Sequence, residues 1–258
     1  MPLFDTHAHL DQEEFDADRD AVIARAQEAG VETILAVGVT AASSQAVVML
    51  AQQHPGIAAA VGIQPNYTAQ AQVGDWDRIV ELAAGPKVVA LGETGLDRHW
   101  DYSPFDVQQD YFDRHLRLSQ ERDLPCIVHT RQSDAEVLQM LYVARQRGTL
   151  RGVMHSFSGT AETAAECIAL GFYISFAGMV TFKKSDALRA VAATIPSDRI
   201  LVETDSPYLS PHPLRGRRNE PAYLVHTAAC LAEVRGQSPD DFFALATANA
   251  RALFRLGS

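Results

Sequence analysis

The sequence has few cysteines, no long apolar run and no excess of positive charge, and each of these absences excludes a class of protein. Its three cysteines, Cys126, Cys167 and Cys230, are far apart and form no Cys-x-x-Cys pair, so neither a disulfide framework nor a zinc ribbon is expected. No stretch approaches the ~18 consecutive apolar residues of a membrane span, and no basic, apolar leader precedes Asp5. We therefore expect a cytoplasmic protein that does not cross a membrane.

The charge balance excludes another class. A formal net charge of −10 argues against a protein that coats duplex DNA through a broad basic face, because such binding neutralises many phosphates. An enzyme that binds only a few phosphates at a metal site is compatible with this charge. A glycine-rich dinucleotide fingerprint is also missing after the first apolar run, which disfavours an open, doubly wound sheet.

The sequence does contain a regular alternation of apolar runs and amphipathic segments. The predicted strands are 3–7, 33–39, 57–63, 88–92, 126–129, 152–155, 172–176 and 200–203. The predicted helices are 16–29, 41–53, 76–83, 105–122, 134–147, 161–170, 186–193, 221–235 and 238–254. Eight such units in 258 residues predict an α/β fold of the TIM-type (β/α)8 barrel class, with residues 1–258 as a single domain. The irregular stretch 206–219 would then be a loop over the active face.

Residues that commonly bind metals occur where these strands end. His7 and His9 lie two positions apart in the first strand region, so both imidazoles should face the same side. Four more follow or end later strands: Glu93, His129, His155 and Asp205. Barrel enzymes build their sites at the carboxyl ends of the strands, so these six side chains predict a metal site there.

Four histidines and two carboxylates are too many ligands for one catalytic zinc, which usually takes about three from the protein. Two divalent ions are therefore predicted, with Glu93 as the bridge because a carboxylate can bind two cations and an imidazole cannot. Asp205 would bind one ion and accept a proton from the attacking water. Imidazole-rich ligation favours Zn, Mn, Co or Fe over Mg.

Several motifs together resemble one family. They are Asp5-Thr6-His7-Ala8-His9-Leu10-Asp11, Gly92-Glu93-Thr94-Gly95-Leu96-Asp97, Ile127-Val128-His129-Thr130-Arg131, His155-Ser156-Phe157-Ser158-Gly159, Thr181-Phe182-Lys183, Glu203-Thr204-Asp205-Ser206-Pro207 and Arg215-Gly216-Arg217-Arg218-Asn219-Glu220-Pro221. With these the chain resembles the TatD family of metal-dependent deoxyribonucleases, within the amidohydrolase superfamily. The resemblance implies a barrel, divalent metals and hydrolysis of DNA phosphodiesters, often as a 3′ exonuclease. It also implies the same six metal ligands.

The sequence departs from the family pattern at two places. Gln64 stands in Gly62-Ile63-Gln64-Pro65 where the family usually has histidine, and glutamine cannot act as an acid or base near neutral pH. Arg98-His99-Trp100 follows Asp97 where the family usually has an aromatic residue, and this extra cation and ring could favour a phosphate or a base. The predicted substrate-binding residues are Gln64, Arg131, Lys183, Arg217 and Arg218, with Arg215 as a further candidate for the phosphate clamp.

The predicted substrate is nucleic acid, most often a single-stranded DNA end, with no obligate protein partner. The alternative is a barrel amidohydrolase acting on a small amide, lactone or phosphoester. Such enzymes frequently bridge their metals with a carboxylated lysine after strand four, whereas Glu93 occupies that place here. A third hypothesis, a non-catalytic binding protein on a decayed barrel, is disfavoured by the intact ligand set.

Overall fold

A computed structural model describes residues 2–256 and shows the TIM-type (β/α)8 barrel that the sequence predicts. The strands are β1 (Leu3–Ala8), β2 (Val31–Val37), β3 (Ile57–Val61), β4 (Val88–Asp97), β5 (Cys126–Arg131), β6 (Gly152–Met154), β7 (Phe172–Phe176) and β8 (Ile200–Val202). The α-helices are α1 (Arg19–Glu28), α2 (Ala41–Gln53), α3 (Asp75–Leu82), α4 (Phe105–Arg122), α5 (Asp134–Arg147), α6 (Ala161–Ala169), α7 (Asp186–Thr194), α8 (Leu224–Val234) and α9 (Pro239–Phe254). Within the described residues, no helix is both long and apolar enough to cross a membrane.

The eight strands pair in chain order and all pairs are parallel. Hydrogen bonds between β1 and the segment after β8 close the ring: the His9 N–H donates to the Ser206 carbonyl at 2.8 Å, and the Asp205 N–H donates to the His7 carbonyl at 2.9 Å. The Thr6 hydroxyl also donates to the Val202 carbonyl at 3.0 Å. All carboxyl ends of the strands therefore meet at one end of the barrel.

Alternate residues of each strand enter two separate apolar layers, as the period of two requires. One layer fills the barrel interior, with Phe4, Leu35, Ile127 and Leu201 among its buried members. The last turn of α9 packs on this layer, and the rings of Phe4 and Phe254 lie 5.7 Å apart. The other layer lies between the strands and the surrounding helices. The interior is thus packed, and the site must lie at one end of the barrel.

Predicted element bounds are most accurate where local signals are strong. Helix α2 begins as predicted because the Thr40 hydroxyl accepts from the Ser43 N–H at 3.1 Å, in a capping box. Strand β4 was predicted to end at Gly92, but it continues to Asp97, and this prediction is wrong. The added residues pair with β5, from Thr94 opposite Val128 onward. The extension is polar, so an apolar pattern cannot reveal it, and Glu93 lies within β4 rather than after it.

Candidate metal centre

The carboxylate of Glu93 lies at the centre of a buried cluster of histidines. Its Oε2 atom is 3.4 Å from His7 Nε2 and 3.7 Å from His9 Nε2. Its Oε1 atom is 2.9 Å from His129 Nδ1 and 3.2 Å from His155 Nε2. Each oxygen of one carboxylate thus faces its own pair of imidazole nitrogens.

Asp205 completes the first of these pairs. Its Oδ1 atom is 3.4 Å from His9 Nε2 and 3.8 Å from His7 Nε2, and the two Nε2 atoms are 3.2 Å apart. Asp205 adopts the left-handed backbone conformation, with φ of 55°, which aspartate tolerates better than most residues. This backbone position is held by the ring-closing bond to His7. All six residues predicted from the sequence therefore lie together.

In three of the imidazoles, the outer ring nitrogen, which points away from Glu93 and Asp205, has its own hydrogen-bond acceptor. This contact fixes which nitrogen, called the inner one here, faces the cluster. His9 Nδ1 lies 3.0 Å from the Val37 carbonyl, His129 Nε2 lies 3.1 Å from Asp97 Oδ2, and His155 Nδ1 lies 3.1 Å from Glu203 Oε1. Carbonyls and carboxylates only accept, so these nitrogens carry the hydrogen in the neutral ring. The inner nitrogens then present lone pairs.

Each of these inner nitrogens faces a carboxylate oxygen, a contact that is favourable when positive charge is present there, either as a proton on the ring or as a bound metal cation. Three inner nitrogens, with His7 Nε2 as a fourth, and two carboxylates form a donor set that suits a divalent transition metal. The residues His7, Glu93 and His155 come close enough to share an ion, as do His7, His9 and Asp205. The donors present therefore fit the binding of metal.

The electrostatics of the cluster also favour cations. Burial opposes protonation of His9, but the hydrogen bond and charge of Asp205 outweigh it and raise the pKa to about 9. Burial likewise opposes protonation of His155, yet Glu93 and Glu203 hold its pKa well above the usual value. Burial alone would raise the pKa of Glu93, whereas the surrounding imidazoles keep it well below its usual value. The cluster is therefore a strong attractor of positive charge.

Glycines allow β4 and β5 to bring their side chains together. Gly92 has φ of 141°, and a Cβ atom there would lie 2.7 Å from the Ile127 carbonyl oxygen. Gly95 has φ of 133°, and its Cβ would lie 2.0 Å from the His129 carbonyl oxygen. Only glycine fits at either position, so the close approach of the two strands depends on both. This approach places Glu93 beside His129.

Two carboxylates behind the imidazoles were not predicted from the sequence as functional residues. Asp97 and Glu203 accept from His129 and His155, and such partners fix the orientation of a metal-binding ring. Burial raises the pKa of Asp97, but the hydrogen bond from His129 and other contacts lower it to about 2. The available signal was the pair of motifs Gly92 to Asp97 and Glu203 to Asp205, in which a second acid lies near each proposed ligand.

The cluster lies at the bottom of a cavity of about 980 Å³, which opens at the carboxyl end of the barrel. Of the predicted substrate-binding residues, Gln64 and Arg131 line it. The Gln64 Oε1 atom accepts from the Asn66 N–H at 2.8 Å, so its amide group keeps its N–H donors for other partners. The other cavity residues include polar and aromatic side chains from several strand-to-helix loops.

The remaining predicted substrate-binding residues do not line the cavity. Lys183 and Arg217 are exposed outside it. Arg215 lies over the Phe182 ring, 3.7 Å from its centroid. Arg218 donates to both carboxylate oxygens of Asp18 at 2.8 Å, and also to the Glu14 carbonyl at 2.6 Å. The guanidinium of Arg218 is therefore paired with groups of the protein itself. The sequence did not indicate this contact.

This contact gives a prediction that separates Arg218 from its neighbour. We expect Arg218→Ala to lower the melting temperature by a few degrees, because it removes a bidentate ion pair between the loop after β8 and the start of α1. The Michaelis constant for a substrate of the barrel site should stay within about twofold, because Arg218 does not line the cavity. Arg217→Ala is the matched control, since Arg217 is exposed, and it should leave the melting temperature unchanged. An unchanged melting temperature with a raised Michaelis constant in Arg218→Ala would contradict the structural role.

Comparison with known proteins agrees with the geometry. A profile of the family described as TatD related DNase matches residues 4–255. The chain is 41% identical to an uncharacterized metal-dependent hydrolase of Bacillus subtilis, YabD, over 98% of this chain and 99% of that protein. It is 36% identical to the 3′-5′ ssDNA/RNA exonuclease TatD of Citrobacter rodentium, over 98% and 97%. The crystal structure of YjjV, a TatD homolog from Escherichia coli, matches with a TM-score of 0.92 and 30% identity, over 99% and 98%.

Proposed function

The chain belongs to the TatD family of metal-dependent hydrolases, and from that premise we propose that it removes nucleotides from the 3′ end of single-stranded nucleic acid, DNA in the first place, with two divalent cations bridged by Glu93. The observation that carries this proposal is the position of the Glu93 carboxylate, whose two oxygens face separate pairs of imidazoles. The similarity to a named exonuclease over nearly the full chain supports the reaction type.

The proposed ligands fall into two groups. His7, His9 and Asp205 would hold one cation with Glu93 Oε2, whereas His129 and His155 would hold the other with Glu93 Oε1. Paired divalent cations supply Lewis-acid stabilisation of the attacking and leaving oxygens of a phosphodiester. Asp97 and Glu203 keep the rings of His129 and His155 in the orientation that presents their lone pairs.

Asp205 is the proposed proton acceptor. It is the more exposed of the two central carboxylates, with 13% of its side chain accessible against 4% for Glu93, and it lines the cavity. Burial alone would raise the pKa of Asp205, but the hydrogen bond from His9 and the charge of the imidazoles lower it, so the group is ionised near neutral pH. It can therefore accept a proton from the attacking water and stay part of the cluster.

The proposed substrate contacts begin with Arg131 and Gln64. Arg131 would bind a phosphate next to the scissile bond, since a guanidinium matches phosphate geometry. Gln64 would donate its amide hydrogens to the scissile phosphate in place of the family histidine. Lys183 and Arg217 would reach only phosphates farther along the strand, because both lie outside the cavity.

Digestion of a 5′-labelled single-stranded oligonucleotide tests this function. We expect a ladder that shortens from the 3′ end, and a phosphorothioate at the terminal linkage should slow its formation. An oligonucleotide of the same length in a blunt duplex is the control and should be cut more slowly. Cleavage of a lactone or amide, with no phosphodiester cut by any metal-loaded sample, would replace this proposal by the amidohydrolase alternative.

The choice of metal is a separate prediction. Four imidazole ligands favour transition metals, whereas Mg²⁺ prefers oxygen ligands. After removal of bound metal by a chelator, we expect Mn²⁺, Co²⁺ or Zn²⁺ to restore a higher rate than Mg²⁺ at equal concentration. Elemental analysis of the purified protein should find about two ions per chain. A higher rate with Mg²⁺ would contradict the predicted preference for transition metals, and one ion per fully active chain would count against the two-metal arrangement.

A further inference from the structure

Four large aromatic side chains surround the cavity, and all are exposed. The exposed fractions are 37% for Tyr67, 42% for Trp100, 57% for Tyr102 and 48% for Tyr208. Within the described residues, eight large apolar or aromatic side chains are exposed, so half of them lie in this one place. Such a concentration is not expected of a surface that only contacts water.

Two of these rings already form a stack. The rings of Trp100 and Tyr102 are 5.4 Å apart with an angle of 14° between their planes. They follow β4 in the segment that departs from the family pattern. Asp97 fixes this segment, because its Oδ1 atom accepts from the N–H groups of His99 at 2.8 Å and Trp100 at 3.1 Å. The Oδ2 atom of Asp97 contacts His129, so the stack is tied to the metal centre.

The cavity offers these rings but few cations. Arg131 is the single lysine or arginine among its lining residues in the described part of the chain. Its guanidinium carbon lies 5.6 Å from the centre of the Trp100 ring. A ligand that matches this surface has flat, unpaired rings and a single phosphate within reach of Arg131. Bases of a single strand have this chemistry, whereas the bases of a duplex are already stacked and paired.

We propose that the Trp100 and Tyr102 stack binds unpaired bases beside the scissile phosphodiester, while Arg131 binds the adjoining phosphate. This inference rests on the proposed function, and it names the part of the substrate that is recognised. Base stacking then selects single-stranded ends without strong sequence preference, because every base has an aromatic face. The acidic outer surface contributes little to binding, in agreement with the net charge of −10.

The test compares two single-stranded oligonucleotides of equal length, one normal and one with abasic sites at its last three 3′ positions. Both carry the same phosphates, so only the bases differ, and the variants below separate stacking from other contacts to the bases. We expect wild-type kcat/KM to favour the normal strand by about 5- to 150-fold for each base that stacks. Trp100→Leu combined with Tyr102→Leu should abolish most of this preference by raising KM for the normal strand, with the abasic strand unaffected. Tyr142→Leu, which alters an exposed tyrosine on α5, is the matched control and should keep the preference.

Binding is measured independently of turnover by tryptophan fluorescence, with a 3′-phosphorothioate strand as the probe. The normal strand should quench the signal of Trp100 and the abasic strand should not, while Trp100→Leu loses the response and keeps the signal of Trp76. Equal cleavage of both strands by wild type, or a preference that survives in the double variant, would overturn the stacking role and leave the nuclease function standing. Failure of wild type to cleave or bind either strand would overturn both.

Discussion

Glu93→Ala should abolish hydrolysis and remove bound metal in the same step. The carboxylate is the only side chain in the described cluster with one oxygen facing each pair of imidazoles, so its loss removes a ligand from both proposed cations. Stabilisation by paired metals is worth several kcal/mol, and each 1.36 kcal/mol is a factor of ten in rate. A fall in kcat/KM of at least about a thousandfold is therefore expected.

Metal content by elemental analysis and nuclease rate should be measured on the same preparation. Glu166→Ala is the control, because Glu166 is a surface glutamate on α6 whose carboxylate contacts only the Tyr142 hydroxyl in this structure. It should retain both metal and activity. A Glu93→Ala protein that keeps its fold, shown by circular dichroism, and also keeps near-normal turnover would exclude Glu93 from the centre.

The second large effect is expected from Asp205→Asn. Asparagine keeps the size of the side chain and one carbonyl oxygen near His9, but it cannot take up a proton. We expect kcat to fall by roughly 10²- to 10⁴-fold, the range for loss of a general base, with KM nearly unchanged. Asp186→Asn, at an exposed position on α7, is the control for the same chemical change.

The balance between rate and metal content tests the role of Asp205 directly. If Asp205 acts as a general base, Asp205→Asn should lower the rate while the protein keeps at least the cation proposed to bind His129 and His155. If Asp205→Asn loses both cations together with the rate, the side chain acts chiefly as a ligand. If the rate is unchanged, another group accepts the proton and the assignment is wrong.

The sequence predicts the fold well because a buried parallel strand is a run of consecutive apolar residues, which a local pattern reveals. Strand β7 has the predicted bounds Phe172–Phe176, since its run is continuously apolar or small. The six side chains predicted as ligands also lie together in the structure, because each lies at or near the end of such a run. These are local signals, and the barrel brings them together by a general rule of its topology.

The rest depends on contacts that no local pattern contains. Arg218 pairs with Asp18, 200 positions away, and nothing near either residue indicates the other. Asp97 was taken as part of a motif without a role, because its contact with His129 arises only when β4 pairs with β5 along its polar extension. The stacked rings of Trp100 and Tyr102 likewise depend on the path of one loop.

The closure of the ring between β1 and the segment after β8 has a consequence for biosynthesis. His7 is translated about 200 residues before Asp205, and a backbone hydrogen bond joins the two residues in the folded protein. A growing chain therefore cannot assemble the complete side-chain cluster until Asp205, which follows β8, has left the ribosome. Nascent or truncated chains that end before β8 carry histidines without the carboxylate that completes the set. We therefore expect activity only in chains whose ring of strands has closed.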